Sequence, residues 1–303
     1  CSGTNEFVEI HPYVKQDIME YYKQNPEQAR AQFGDDPFDV KNIMKYWVRS
    51  KDKDMRIIPT DTLYVKIDKE AVRKSGMLMA GDSIPDKMVI SLAGKRGLGK
   101  ESLMMLEMIA QCNWTRPLYI ATTVAEKYYM NLGDNFVQEG LAYRITPFTT
   151  KNPGMKNIDT EKMYNNLMNR YKWGGLEKPG LYLDETVMRM CYTHRHLFAI
   201  LALALVEENK KDKAVEVLDR CQKVIPDYNV PVTFMSAGAD MAQAYALAGQ
   251  KAKAAKLLDA VWKNAEQYAV WYLSLNGSRF TQAQNDFLRQ VVMLKSTAEQ
   301  TAL

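Results

Sequence analysis

Gly94, Gly99 and Lys100, in the stretch GKRGLGKES, stand at the spacing of a phosphate-binding P-loop. In such a loop backbone N–H groups cradle the phosphates, the lysine reaches them, and a following Ser or Thr holds Mg²⁺. Here Glu101 takes the hydroxyl position and Ser102 falls one residue late. A carboxylate there would repel phosphate, so we expect a Gly- and Lys-rich surface loop and no nucleotide. His194 and His196 flank Arg195 close to Cys191. On a strand the two imidazoles would share a face, but on a helix they project to nearly opposite sides. The one other histidine is His11, so a zinc site would have to recruit carboxylates. No metal is expected. Asp184 and Glu185 precede an apolar run and read as an N-cap and a first-turn acid rather than an acid–base pair. Met104, Met105 and Met108 fall on one helix and read as adaptable core. No nucleophile elbow, Cys–His signature or HExxH is present, so no catalytic residue and no cofactor is assigned.

The elements that would carry these residues change character along the chain. Over 12–50, Val14, Ile18, Tyr21 and Tyr22, then Val40, Ile43, Met44 and Trp47, recur at helical spacing. MRIIP and TLYVKID are short β-rich runs split by Pro59, with Leu63, Val65 and Ile67 alternating against polar neighbours. KMVISL reads as a strand, ESLMMLEMIAQC as an amphipathic helix and RPLYIATTV as a strand, a succession that predicts a βαβ unit with parallel strands. LAYRITPF is a further strand. From Thr160 onward the pattern is helical, broken at KWGGLEKPG.

That helical half contains a repeat. Lys213, Ala214, Leu218, Asp219 and Lys223 recur 40 residues later as Lys253, Ala254, Leu258, Asp259 and Lys263. At the same offset Ala202 meets Ala242, Leu205 meets Tyr245, and Asn209 meets Gly249 at the turns, where a left-handed residue is required. Small, large, turn, alanine and leucine in this order resemble tetratricopeptide repeats. The repeat predicts one hairpin over 196–207 and 212–224, the next over 236–248 and 251–265, and a further turn near Asn276 and Gly277. DYNVPV is read as an inserted linker. The fold class is α+β, predominantly α. A mixed α/β region over 1–155, with N-terminal helices and a small sheet containing the βαβ unit, precedes TPR-like stacked hairpins over 156–303.

Composition narrows the function. With 303 residues the chain is long enough to bury a core without staples. Forty basic against thirty-six acidic residues leave +4, too weak and dispersed for a nucleic-acid partner. The longest apolar run, Leu197 to Val206, has ten residues where a membrane span needs about 20. The first residues carry no signal-peptide pattern. Cys1, Ser2 and Gly3 fit either a lipidated terminus or, as we expect, an internal cut of a longer protein. Cys112, Cys191 and Cys221 lack CxxC spacing and leave the redox compartment open.

Four strings, NWTRPLYIATTV, FVQEGLAYRITP, YNNLMNRYKWGG and KPGLYLDE, together resemble the soluble C-terminal region of a bacterial polytopic membrane-protein family catalogued as a domain of unknown function. That family is related to transmembrane O-mannosyltransferases. The resemblance covers roughly residues 40 to 275 and implies a parent whose membrane helices carry the glycosyl-transfer site and use a lipid-linked sugar. It implies for this chain an extracytoplasmic (periplasmic), non-catalytic part whose partner is an acceptor polypeptide or its own membrane domain. The alternative is a stand-alone peptide-binding scaffold or lipoprotein with no enzymatic parent. Arg116, Tyr119, Glu139, Tyr143 and Arg144, around strand ends, are the candidate ligand-binding residues. Gln243 and Tyr245 are the candidates for a peptide groove on the hairpins.

Overall fold

Short alternating runs fold the first half of the chain and long periodic runs the second. The computed structural model describes residues 7–79, 81–149 and 157–301. Two units result: Cys1–Gln138 with Ala142–Asn157, and Glu139–Leu141 with Ile158–Leu303.

The first unit opens with β1 (Val8–Ile10), α1 (Val14–Gln24), α2 (Pro26–Phe33) and α3 (Val40–Asn42), the last running on as a π-helical turn, Ile43–Val48. Pro26 begins α2, where its missing N–H costs nothing. Gly34 ends it at φ +82°, with the Asn42 side chain against the space a Cβ would need. Asp39 caps α3 by accepting from the Lys41 N–H. Then come β2 (Ile57–Ile58), β3 (Thr62–Lys66), α4 (Lys69–Lys74), β4 (Lys87–Ser91), β5 (Gly97–Leu98), α5 (Lys100–Gln111), β6 (Tyr119–Ala121), β7 (Phe136–Gln138) and β8 (Ala142–Ile145).

The expected βαβ unit is not formed. β4 pairs antiparallel with β3, and β6 pairs antiparallel with β8, which pairs antiparallel with β7. The physical reason is visible along β4, where Met88 and Ile90 are buried while Lys87, Val89 and Ser91 are exposed. A parallel strand of a crossover unit needs both faces covered, and β4 offers only one apolar face. The parallel strand pair described is β1 with β2. β1 also takes β5 on its other edge, antiparallel. Aliphatic and aromatic side chains of these elements make one core, from Val8 through Trp47, Ile90 and Leu106 to Ile145.

In the second unit α6 (Thr160–Asn165), capped by Asp159, continues as a π-helical turn Asn166–Arg170. After an irregular stretch come α7 (Glu185–Glu207), α8 (Lys211–Val224), α9 (Gly238–Leu247), α10 (Lys251–Leu273) and α11 (Gly277–Thr301). Asp184 caps α7 through the Val187 N–H at 2.8 Å, and Glu185 pairs with Arg189 one turn on. α7 packs on α8, α9 on α10, α7 on α9 and α10 on α11, a run of helical hairpins.

The 40-residue offset is written in the turns. Asn209 and Gly249 adopt φ +61° and +85°. The Lys210 N–H reaches the Leu205 carbonyl and Asn209 N–H that of Val206, at 2.8 and 2.9 Å. Gln250 to Tyr245 and Gly249 to Ala246 repeat both bonds at the same distances. Each is a Schellman closure, which satisfies carbonyls that a helix end leaves open. Ala202, Ala214, Ala242 and Ala254 are all buried and let the helices approach closely.

Candidate functional site

In the first unit an open cleft of about 780 Å³ lies between α5 and β6. Two local features position it. After α5 the chain turns through Asn113 and Trp114, both at positive φ (+46° and +58°). A bulky residue there is strained, and burial of the Trp114 ring in the core holds it in place. β6 then runs back beside β8, whose Ile145 N–H binds the Leu118 carbonyl at 2.9 Å.

The walls are Met105, Met108 and Ile109 from α5, Leu118, Tyr119, Ile120 and Val124 around β6, and Tyr128 and Ile145. Glu101 and Ser102 close one end, and Glu101 is the one charged side chain among the lining residues. Met104, Met108, Tyr119 and Tyr128 leave close to half of their surface in solvent. Met104 and Met108 thus face outward instead of filling the core, which corrects the expectation for those two, while half-buried Met105 packs against the core as expected. The buried face of α5 is Leu103, Leu106, Ile109 and Ala110. Flexible thioethers beside two amphipathic rings adapt to apolar side chains of varied shape.

The Gly- and Lys-rich stretch borders this cleft without forming a phosphate cradle. Gly97 and Leu98 are drawn into β5 against β1. The Glu101 carboxylate folds back so that a Cβ on Gly99 would lie 2.7 Å from it. The helix N-terminus, where an anion would sit, therefore faces its own carboxylate.

The five candidate ligand residues do not form one cluster, although Tyr119 and Arg144 are cross-strand partners. Tyr119 lies in the cleft and Arg116 is exposed just before β6. Tyr143 is core, its ring stacked on Phe136 at 5.9 Å and edge-on to Tyr129. Arg144, opposite Tyr119 in the ladder, is buried and donates to the Met77 carbonyl at 3.4 Å. Glu139 counts with the second unit, where Lys162 pairs with its carboxylate at 3.2 Å and Asn166 donates to its carbonyl at 2.7 Å. Tyr143, Arg144 and Glu139 are thus all buried and engaged in packing or local bonding, Tyr143 and Arg144 on opposite faces of β8, both of which are covered.

In the second unit Gln243 is exposed, but Tyr245 is fully buried and cannot line a groove. Its hydroxyl donates to Asp219 at 2.7 Å and accepts from Gln222 at 2.6 Å, and Asp219 also binds Lys253 at 2.6 Å. Burial, then the hydrogen bond to Asp219, push the Tyr245 phenol above its ordinary range. His194 packs edge-on to Trp173 and binds the Met190 carbonyl, while His196 stands 3.8 Å from Asp240. Among the described residues no group of three His, Cys, Asp or Glu side chains could hold a metal.

The residue whose role the spacing did not disclose is Arg195. It is 1% exposed, and its guanidinium donates to the carbonyls of Ile225, Val230 and Pro231 and to Ser236 Oγ, at 2.6–3.0 Å. It ties down the linker between the hairpins. The signal was available: Arg195 falls in register with buried Cys191, Phe198, Ala202 and Leu205, where a charge has no business unless paired.

Residues 1–162 match the family model described as TMEM260-associated domain 2. No curated protein and no solved structure matches the chain. No helix among the described residues is long and apolar enough to cross a membrane. The match takes in more than half of the 303 residues, so the chain belongs to the TMEM260-associated domain 2 family and carries a domain tied to a membrane protein.

Proposed function

We propose that this chain is a non-catalytic, extracytoplasmic part of a membrane glycosyltransferase-like protein and holds the acceptor polypeptide for it. The observation that carries the binding half is the α5–β6 cleft. It offers about 780 Å³ of apolar space whose rim, Met108, Tyr119 and Tyr128, stays in water. Solvated apolar surface of this kind is stabilised when a ligand covers it. A cleft with two tyrosine rims and adaptable methionine walls suits apolar side chains of an extended chain. Its small size fits a micromolar to millimolar contact, about 4–8 kcal/mol. The glycosyltransferase parent and the extracytoplasmic side rest on the four-string resemblance, and the membrane-protein association on the family. The hairpins serve as the scaffold, since burial of Tyr245 weakens the case for a groove there.

Titration of the chain with fluorescent extended peptides that differ in one apolar residue tests the binding half. Saturable binding that falls at least about tenfold (1.4 kcal/mol) in Met108→Asp is the expected result. Equal binding by the variant would remove the cleft from the reading. Sugar transfer by the purified chain alone would overturn the non-catalytic half. A reporter fused to the chain within its full-length parent, active only outside the cytoplasm, checks the side of the membrane.

A further inference from the structure

The far end of α10 breaks the rule for a solvated helix. Tyr268, Val270, Trp271 and Leu273 are 47%, 62%, 53% and 62% exposed. At about 100° per residue, these four and Tyr272 spread over most of the circumference instead of along one stripe, sparing the side of buried Ala269. The rings of Tyr268, Trp271 and Tyr272 form a cluster with centroids 4.8–6.5 Å apart. From Gln267 to Asn285, nineteen residues across the α10–α11 turn, there is no acidic side chain and one cation, Arg279.

We propose that this turn seats in the headgroup region of a lipid bilayer. Three observations choose lipid over a protein groove. A groove reads one i, i+3, i+4 stripe of a helix, whereas apolar groups around most of the circumference suit a medium that surrounds the tip. Tyrosine and tryptophan, apolar bodies with one polar atom, are the side chains enriched at membrane–water boundaries. The charge pattern fits as well: the turn itself carries no acid to repel lipid phosphates, Arg279 is placed to meet them, and the carboxylate of Asp286, beside Tyr272, lies beyond it on α11.

The backbone at the tip is prepared for a poorly hydrating medium. Ser274 N–H donates to the Val270 and Trp271 carbonyls, and Ser274 Oγ donates to that of Trp271 at 2.7 Å. Leu275 N–H reaches the Tyr272 carbonyl, Phe280 N–H the Asn276 carbonyl, and Arg279 N–H the Asn276 side chain. Groups bonded internally do not lose water on entering the interface. This proposal stands apart from the cleft, which belongs to the other unit.

The test is flotation of the full chain with phosphatidylcholine vesicles, with and without phosphatidylglycerol. The chain is expected to float with lipid, more so with the anionic lipid. The Trp271→Ser, Leu273→Ser double variant should lose at least tenfold in partition with an unchanged melting temperature. Arg279→Gln should lose only the increment that anionic lipid adds. Met108→Asp, in the cleft, should float as the parent does, so failure of the peptide reading leaves this one standing. Equal flotation of the double variant would overturn the proposal. So would a parent chain that ignores vesicles but self-associates through the same residues, which would assign the surface to a second copy.

Discussion

The clamp around Arg195 and the cleft between α5 and β6 depart from the usual inside–outside arrangement in opposite directions. In the second unit a charge is buried, and each of its four bonds ends on an oxygen. In the first unit methionine and tyrosine surface is left in water beside a cleft with one charged group. A buried charge survives only where its partners are complete, so Arg195 is there for the fold. Exposed apolar surface adds nothing to the fold, so the cleft can be spared for recognition. Substitutions should therefore damage stability at one place and binding at the other.

Arg195→Leu carries the largest expected effect. It strips donors from three carbonyls and a hydroxyl around a buried side chain, and roughly 3–5 kcal/mol of stability should disappear. The urea midpoint of the chain reports it. Arg195→Lys keeps the charge but replaces a planar fork with a point donor, and should fall between the two. A loss under about 1 kcal/mol for Arg195→Leu would place this charge among those that matter little and dissolve the contrast.

The turns come next. Gly249→Ala forces a Cβ into the left-handed region and should cost about 1–2 kcal/mol. Asn209→Gly, at the equivalent turn, should be within about 0.5 kcal/mol of the parent, because glycine adopts that backbone freely. Thermal melts of the two variants compare the hairpins directly, and equal losses would mean that the two turns are not equivalent.

The repeat, both turns and the helix ends beside them were legible because they depend on local signals: alanine at close approaches, a left-handed residue after each helix, and 3.6-residue periodicity. The outer ends were not, since α7 begins at Glu185 instead of 196 and α10 runs to Leu273 instead of 265. N-cap Asp184 was legible for the same reason. The strand pairings were not. A five-residue run such as Lys87–Ser91 is compatible with several partners, and the choice is made by which face finds cover elsewhere. The candidate site was half legible. Tyr119 reached the cleft, but Glu139, Tyr143 and Arg144 were judged by polarity alone, and burial with bonded partners is a property of the folded neighbourhood. Tyr245 was misplaced for that reason too. Its alignment with Leu205 marks a core position, where the hydroxyl is accommodated by Asp219 and Gln222.

The second unit should contribute to the alkaline limb of stability, beside Tyr22 and Cys112 of the first unit, which burial also raises. Burial pushes the Cys221 thiol up to about 12 and raises the Tyr245 phenol as well. Both groups are held protonated in the fold while the unfolded chain ionises. Their contribution is thus whole below the unfolded pKa, about 9 for the thiol and 10 for the phenol, and is lost progressively as pH rises toward the folded values. Denaturant titrations at about pH 8 and pH 10.5 should show stability falling, and Cys221→Ala should flatten part of that fall. Tyr245→Phe should cost about 1 kcal/mol at neutral pH, since Gln222 and Asp219 each lose a partner while Asp219 keeps Lys253. An unchanged slope in Cys221→Ala would locate the alkaline loss elsewhere.

A change in stability as small as that at Asn209 is expected at Met108, and it sharpens the comparison most. The side chain is half in solvent, so Met108→Ser removes little that folding had buried, and stability should stay within about 0.5 kcal/mol. α5 keeps its inner face of Leu103, Leu106, Ile109 and Ala110, so the helix and the cleft wall remain where they are. What does change is the apolar area offered to a ligand. A serine covers less of a bound side chain and exposes a hydroxyl to it, so peptide affinity should fall severalfold while the melting curve does not move. Arg195→Lys makes the converse test, with a lowered melting point and, below it, unaltered peptide binding. Should Met108→Ser lower the melting point as Arg195→Lys does, the methionine would be part of the fold after all. The division between a satisfied buried charge and a spared apolar surface would then fail at the residue that defines it.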